Sequence, residues 1–344
     1  MRIFFLLFLL FFASKDLFSQ SLFETDFHIV KFQSNNIDVD KENKINAIKI
    51  NSFKNVLQKI LNQNNYIKIQ EKNDINFVNN FVLNIKIIDE KIINENYYLK
   101  IKINFNENII IDYFINNKIN YVNFLPNKFL LIFFEENLFE NENLSKNNKF
   151  YSFIINSNDD FLKENYLIPN LDFNDRFILN QNNLNFINFN QNLKLNSKYK
   201  INNQVFIYLT KDNNYYSLHV FLINEKNKVK INEILVDKLN YSILLKNIYY
   251  DVIDKWKNFN SIDTQTTNIL NCNITINNTY ELKFLRNFLS SNRIINNYNL
   301  QNIKFNENTY KLEFFGNIEN LISTFEKARL NLFFENNECK VKLK

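Results

Sequence analysis

The sequence predicts an α+β protein in which two split βαβ units flank a mixed α/β middle domain, and three observations carry that expectation. The chain has 344 residues, enough for two or three domains and a sizeable core. Apolar residues alternate at period two, or recur at three and four, along most of its length. The order strand, helix, strand, strand, helix, strand can be read twice, once near each end.

In the first unit, residues 27–33 alternate as a strand should, with His28, Val30 and Phe32 on one face. Residues 41–61 place Ile45, Ile48, Phe53, Val56, Leu57, Ile60 and Leu61 at helical spacing. Residues 81–89 and 97–105 read as two strands joined by a polar turn over 90–96. Asn106 opens a short helix carrying Ile109, Ile110, Tyr113 and Phe114, and the apolar run 129–135 is expected to complete the sheet.

The last unit repeats the order. Residues 269–276 read as a strand and 279–291 as a helix with Leu282, Leu285, Phe288 and Leu289 inward. Residues 302–306 and 310–315 form a strand pair that ends at Gly316, followed by a helix over 318–329 and a closing strand over 339–343. A glycine between strand and helix suits a positive φ, so the turn glycine Gly316 is read as a backbone requirement and not as a ligand site. Both ends thus fit the ferredoxin-like arrangement of an antiparallel sheet with helices on one face, which by itself predicts no function.

Between them, residues 204–211, 215–223 and 228–236 alternate as a three-strand meander, and residues 239–258 form a helix carrying Leu244, Leu245, Ile248, Val252, Ile253 and Trp256. The expected organisation is a signal peptide over 1–21, units over 22–137 and 267–344, and the middle domain over 149–261.

Composition narrows function mainly by exclusion. Hydrophobic residues make up 46%, aromatics 16% and charged residues 22%, ample to fold, although about one residue in five is Asn. One Gly cannot supply a dinucleotide fingerprint, a P-loop or a nucleophile elbow; the two His and two Cys, at positions 28, 219, 272 and 339, lack the close spacing of a zinc finger, and two His cannot make a three-His metal site. No catalytic, cofactor-binding or metal-binding residue is expected. This usage, short of residues with GC-rich codons, points to an AT-rich genome. The formal charge of +5 is spread over interspersed Lys, Asp and Glu without a basic run, which argues against nucleic acid as a partner.

The N-terminus carries the clearest address. Met1 and Arg2 form a short positive region, residues 3–13 are unbroken apolar, and Ser19 and Ser21 offer small residues for cleavage after Ser21. The run is short for a membrane crossing, so contact with the membrane is expected only if this segment stays uncleaved as an inner-membrane anchor. The mass of the mature N-terminus separates the two cases.

Taken together, the stretches 27–61, 97–105, 126–133 and 167–179, the last with its Pro169, Asp172 and Asp175, give a layout that resembles an exported proteobacterial family catalogued as domain of unknown function 2066. The resemblance covers most of the chain. It implies a periplasmic protein of a Gram-negative bacterium of alphaproteobacterial type, with no established catalytic residues to carry over.

Few residues invite chemistry. Asp172, Asp175 and Arg176 form the nearest thing to a polar cluster. Two carboxylates three apart could share a helical face as acid and base or bind a cation, but a helix cap with first-turn charge is the simpler account of them, and Asp159 with Asp160 reads the same way. His28 and His219 sit in strands without a metal-ligand partner at suitable spacing. Cys272 and Cys339 fall in the first and last strands of the final unit, expected to lie side by side and antiparallel, where an exported protein can hold a disulfide. The expected function is a non-catalytic binding or adaptor protein acting on unknown envelope proteins in the periplasm. The alternatives are an envelope hydrolase using Asp172 and Asp175, or a subunit tethered to the inner membrane.

Overall fold

The computed structural model describes residues 22–33, 36–93, 96–136, 138–180, 189–212, 215–224, 228–304 and 306–343. The signal reading of residues 1–21 therefore lies outside the described residues. The architecture is α+β, with 13 strands in three sheets among the described residues.

The first sheet has three strands. β1 (His28–Phe32) is followed by α1 (Ile37–Ile60), α2 (Gln63–Gln70) and α3 (Ile75–Asn79), then by β2 (Val82–Ile93) and β3 (Asn96–Phe105). β3 is central, antiparallel to both β1 and β2. Its buried Tyr97, Leu99 and Ile101 pack with Val30 and Phe32 of β1 and with Ile45 and Ile48 of α1, the alternation that the sequence displays. The hairpin is longer than expected, because strand pairing continues to Ile93 and resumes at Asn96. α4 (Glu107–Asn116) follows, capped by Asn106.

The next strand leaves this unit. β4 (Phe129–Glu135), expected to complete the first sheet, instead pairs in parallel with strands of the middle sheet. The reason is visible in its sequence: residues 129–134 are all buried, an unbroken apolar run that suits a strand covered on both faces and not the half-exposed edge of a small antiparallel sheet. After α5 (Glu140–Asn143), α6 (Lys149–Asn156) and α7 (Asp160–Asn165), the two-residue β5 (Tyr166–Leu167) pairs with one side of β4. Beyond α8 (Phe173–Leu179) and α9 (Phe189–Tyr199), the meander β6 (Gln204–Asp212), β7 (Tyr215–Ile223) and β8 (Lys228–Val236) pairs with the other side, giving the order β5-β4-β6-β7-β8.

Helices cover both faces of that sheet. Phe133 stacks on Phe150 of α6 at 4.1 Å between ring centroids, and Tyr241, the first residue of α10 (Tyr241–Asn260), meets Phe150 edge-on. On the opposite face Phe134 stacks on Tyr208, and the buried Gln204 side chain donates to the Asn192 carbonyl and to Asn196 Oδ1 of α9.

The C-terminal sheet follows, with β9 (Thr267–Thr275), α11 (Thr279–Ser291), β10 (Ile295–Lys304), β11 (Glu307–Phe315), α12 (Ile318–Lys327), β12 (Leu330–Glu335) and β13 (Glu338–Leu343) in the order β10-β11-β9-β13-β12. β12 is a strand that the sequence reading passed over. It hairpins with β13, and this reverses β13, so the last strand runs parallel to β9 where an antiparallel neighbour was expected. Gly316 adopts φ +78, and a Cβ there would meet Asn320 Oδ1 at 2.8 Å and the Ile262 Cα at 3.3 Å, so the backbone reading accounts for the glycine.

The abundant Asn has one recurrent structural use. Asn36, Asn62, Asn106, Asn148, Asn240, Asn278 and Asn317 each cap a helix, the side chain accepting from an amide of the first turn.

Cys272 lies directly opposite Cys339, and the two form a disulfide with Cα atoms 4.6 Å apart. Both are buried in the sheet core beside Tyr310 and Leu332. The bond spans a sequence separation of 67 residues, so its loss releases a long loop in the unfolded chain. Cys272→Ala/Cys339→Ala is expected to lower unfolding stability by about 2–4 kcal/mol, read as a shift in urea midpoint under oxidising conditions and abolished when both proteins are measured in reductant.

Candidate functional site

The predicted carboxylate pair comes together, but as a staple. Asp172 is the N-cap of α8 and Asp175 lies in its first turn, the Asp175 amide donating to Asp172 Oδ1. The Asp175 carboxylate is fully buried and accepts from Lys198 Nζ at 2.7 Å, Tyr199 Oη at 2.5 Å and the Leu171 amide at 3.0 Å. Lys198 Nζ also reaches Asp172 at 2.5 Å. Burial pulls the Lys198 ammonium down, but its hydrogen bonds to Asp172 and Asp175 outweigh that and hold it above its usual range. Burial pushes the Tyr199 hydroxyl up to about 12, with the carboxylate of Asp175 adding to it against the Asn170 amide. Arg176 is exposed on the far side of the turn. Lys198 and Tyr199 thus tie both carboxylates to α9, while Asp172 Oδ1 also caps α8.

The other singled-out residues are also engaged. Asp159 caps α7 and pairs with Lys246 at 2.9 Å, and Asp160 lies in the first turn. His219 Nδ1 lies 3.4 Å from Glu233 across the β7–β8 pair. No group of three or more His, Cys, Asp or Glu able to hold a metal ion is found among the described residues. No helix among them is long and apolar enough to cross a membrane.

A cleft lies elsewhere, between the first unit and α10, with a volume of about 1140 Å³. On one wall the β1 residue His28 places Nε2 3.0 Å from Ser52 Oγ of α1. Burial lowers the His28 imidazole, opposed by the charge of Asp26. Ser52 is buried inside α1, where the backbone amides are consumed by the helix itself, so the pair has no ready oxyanion donors and reads as a satisfied polar contact. The facing wall is Tyr249, Tyr250 and Asp251 of α10, and Tyr250 is 61% exposed. This wall mixes aromatic surface with charge, as recognition surfaces do.

The floor of the cleft is the joint between the two units. Lys257 of α10 is buried, and its Nζ donates to the carbonyls of Gln58 and Leu61 at 2.5 and 3.0 Å, at the C-terminal end of α1. Those carbonyls have no partner within the helix and carry the negative end of its dipole, so the ammonium satisfies both demands. Beside it Asp254 accepts from the Gln63 amide at 2.5 Å, and Asn62 pairs with Asn258. Burial lowers the Lys257 ammonium to about 8, with Asp254 opposing.

A second opening of about 1300 Å³ lies where all three units meet. Two of its lysines are taken up locally: Lys327 donates to the Asn123 carbonyl and Lys128 to the Lys163 carbonyl.

Neither Lys198, Tyr199 nor Lys257 was singled out from sequence. For Lys257 a signal existed, since it lies four residues after Ile253 on the apolar stripe of α10, and a lysine inside such a stripe needs a buried partner. Comparison with known proteins finds no family model that matches the chain and no curated protein similar to it.

Two substitutions test these contacts. Asp175→Asn leaves Lys198 and Tyr199 facing a neutral amide and is expected to destabilise the fold by about 3 kcal/mol, while Asp172→Asn keeps the cap and costs less; urea unfolding measures both. For Lys257, the folded ammonium releases its proton near 8 while the unfolded one keeps it to its usual 10.5. Between those values the unfolded chain binds more protons, so stability rises with pH. Wild type is therefore expected to gain on Lys257→Met by roughly 1 kcal/mol per pH unit across this window, followed by urea unfolding at pH 7, 8.5 and 9.5.

Proposed function

We propose that the chain is an exported, non-catalytic binding or adaptor protein of the bacterial periplasm that holds a segment of an envelope protein in the cleft between its first unit and α10. The observation that carries this reading is the cleft itself: its walls belong to two different units, and Tyr250 presents an exposed aromatic ring beside Asp251 on one of them. The positive, apolar and small-residue pattern of residues 1–21 supports export, and the layout resembling the exported family named above agrees with it. The hydrolase reading finds no open carboxylate pair to work with, since Asp175 is buried and ion-paired and Asp172 is a helix cap.

A photo-cross-linking amino acid placed at Tyr250 in the full chain is expected to capture a discrete adduct in intact cells. The same label at Tyr280, still more exposed on α11 and outside the lining of the cleft, is expected to capture none. Equal labelling at the two positions, or no adduct at either, contradicts the assignment of the cleft as the binding surface.

A further inference from the structure

β2 is the edge strand of the first sheet: it pairs with β3 on one side and with no strand on the other among the described residues. It is also unusually apolar for an edge. Leu83, Ile87, Ile88, Ile92 and Ile93 are all exposed, with Ile88 at 52% and Ile92 at 60%. Long exposed apolar edges template pairing with another chain.

The pattern of residues 88–92, Ile-Asp-Glu-Lys-Ile, singles out the occupant. Two copies of this segment laid antiparallel about a two-fold axis through Glu90 bring Ile88 opposite Ile92 of the other copy and Asp89 opposite Lys91, each pair occurring twice. Moving the axis by one residue places Ile88 against Glu90 and Asp89 against Asp89, or, in the other direction, Asp89 against Ile93, Glu90 against Ile92 and Lys91 against Lys91, so only the register at Glu90 matches both apolar and charged side chains. The central Glu90 carboxylates do not oppose each other unscreened. Each accepts from Lys41 Nζ of its own α1 at 2.6 Å and from its own Tyr97 hydroxyl.

Charge distinguishes this edge from that of the C-terminal sheet. β10, the comparable edge there, is Asn-rich and carries no charged residue before Lys304, so a second copy laid on it finds no charge pairs to match. Both strands carry two register shifts; in β2 they lie between Val82 and Asn84 and between Ile87 and Asp89, so Ile88 sits at a bulge at the start of the segment, and pairing with β3 is regular from Asp89 to Ile93.

We propose that β2 is a homodimer interface, in which residues 88–92 of two copies pair antiparallel about Glu90 and join the two three-stranded sheets into one. Sedimentation velocity of the full chain over a range of concentrations tests it. The wild-type protein is expected to run at twice the mass of one chain. Asp89→Lys and Lys91→Asp each set like charges opposite one another twice, and each is expected to raise the dimer dissociation constant about tenfold or more. Asp89→Lys/Lys91→Asp restores the match and is expected to return the dimer, which also shows that the single variants were folded. A wild-type monomer at every concentration overturns the proposal, as does a dimer indifferent to both reversals or a double variant that stays monomeric.

Discussion

The ammonium of Lys257 across the last carbonyls of α1 is the contact on which the arrangement of the three sheets depends. A helix end buried against another unit must find donors for its terminal carbonyls, and here one side chain supplies two of them, at Gln58 and Leu61. The Val122 amide takes the carbonyl of Ile60 alongside. From this joint the chain is laced outward. Ile262 donates to the Tyr121 carbonyl, Thr264 bonds Asn120, and the buried Asn320 of α12 donates to the carbonyl of Asn260 at the end of α10. The last turn of α10 therefore touches the first and C-terminal units at once, its earlier turns pack on the middle sheet through Leu245 and Tyr249, and one hydrophobic cluster runs through all of them.

The cleft follows from that geometry. Because α10 meets α1 only near the C-terminal ends of both helices, their faces separate above Lys257 and leave Tyr249, Tyr250 and Asp251 looking across at His28 and Ser52. The same joint that orders the units thus leaves a recess between them.

Much of this was legible in the chain and some was not. Alternation located β1, β3 and the meander, and Asn106 marked a helix start correctly, because these patterns reflect one buried face. The destination of β4 was misjudged although its unbroken apolar run was plain: a strand's pattern reports how many of its faces are buried, and only the competition among possible neighbours decides which sheet buries them. β12 escaped because Leu330 and Leu332 are its only buried residues, and with it went the direction of β13, though not the adjacency of Cys272 and Cys339. The carboxylates at 172 and 175 were found, but their partners Lys198 and Tyr199 lie on another helix, beyond the reach of spacing arguments.

The claim that the three sheets are joined through one junction into a single cooperative structure has a built-in reporter, because the sole tryptophan, Trp256, is buried beside Lys257 and edge-on to Phe124. Equilibrium urea unfolding followed by Trp256 fluorescence and by far-UV circular dichroism compares the junction with the whole molecule. Coincident transitions are the predicted result; a fluorescence transition that is complete while the sheets retain their dichroism would contradict the account.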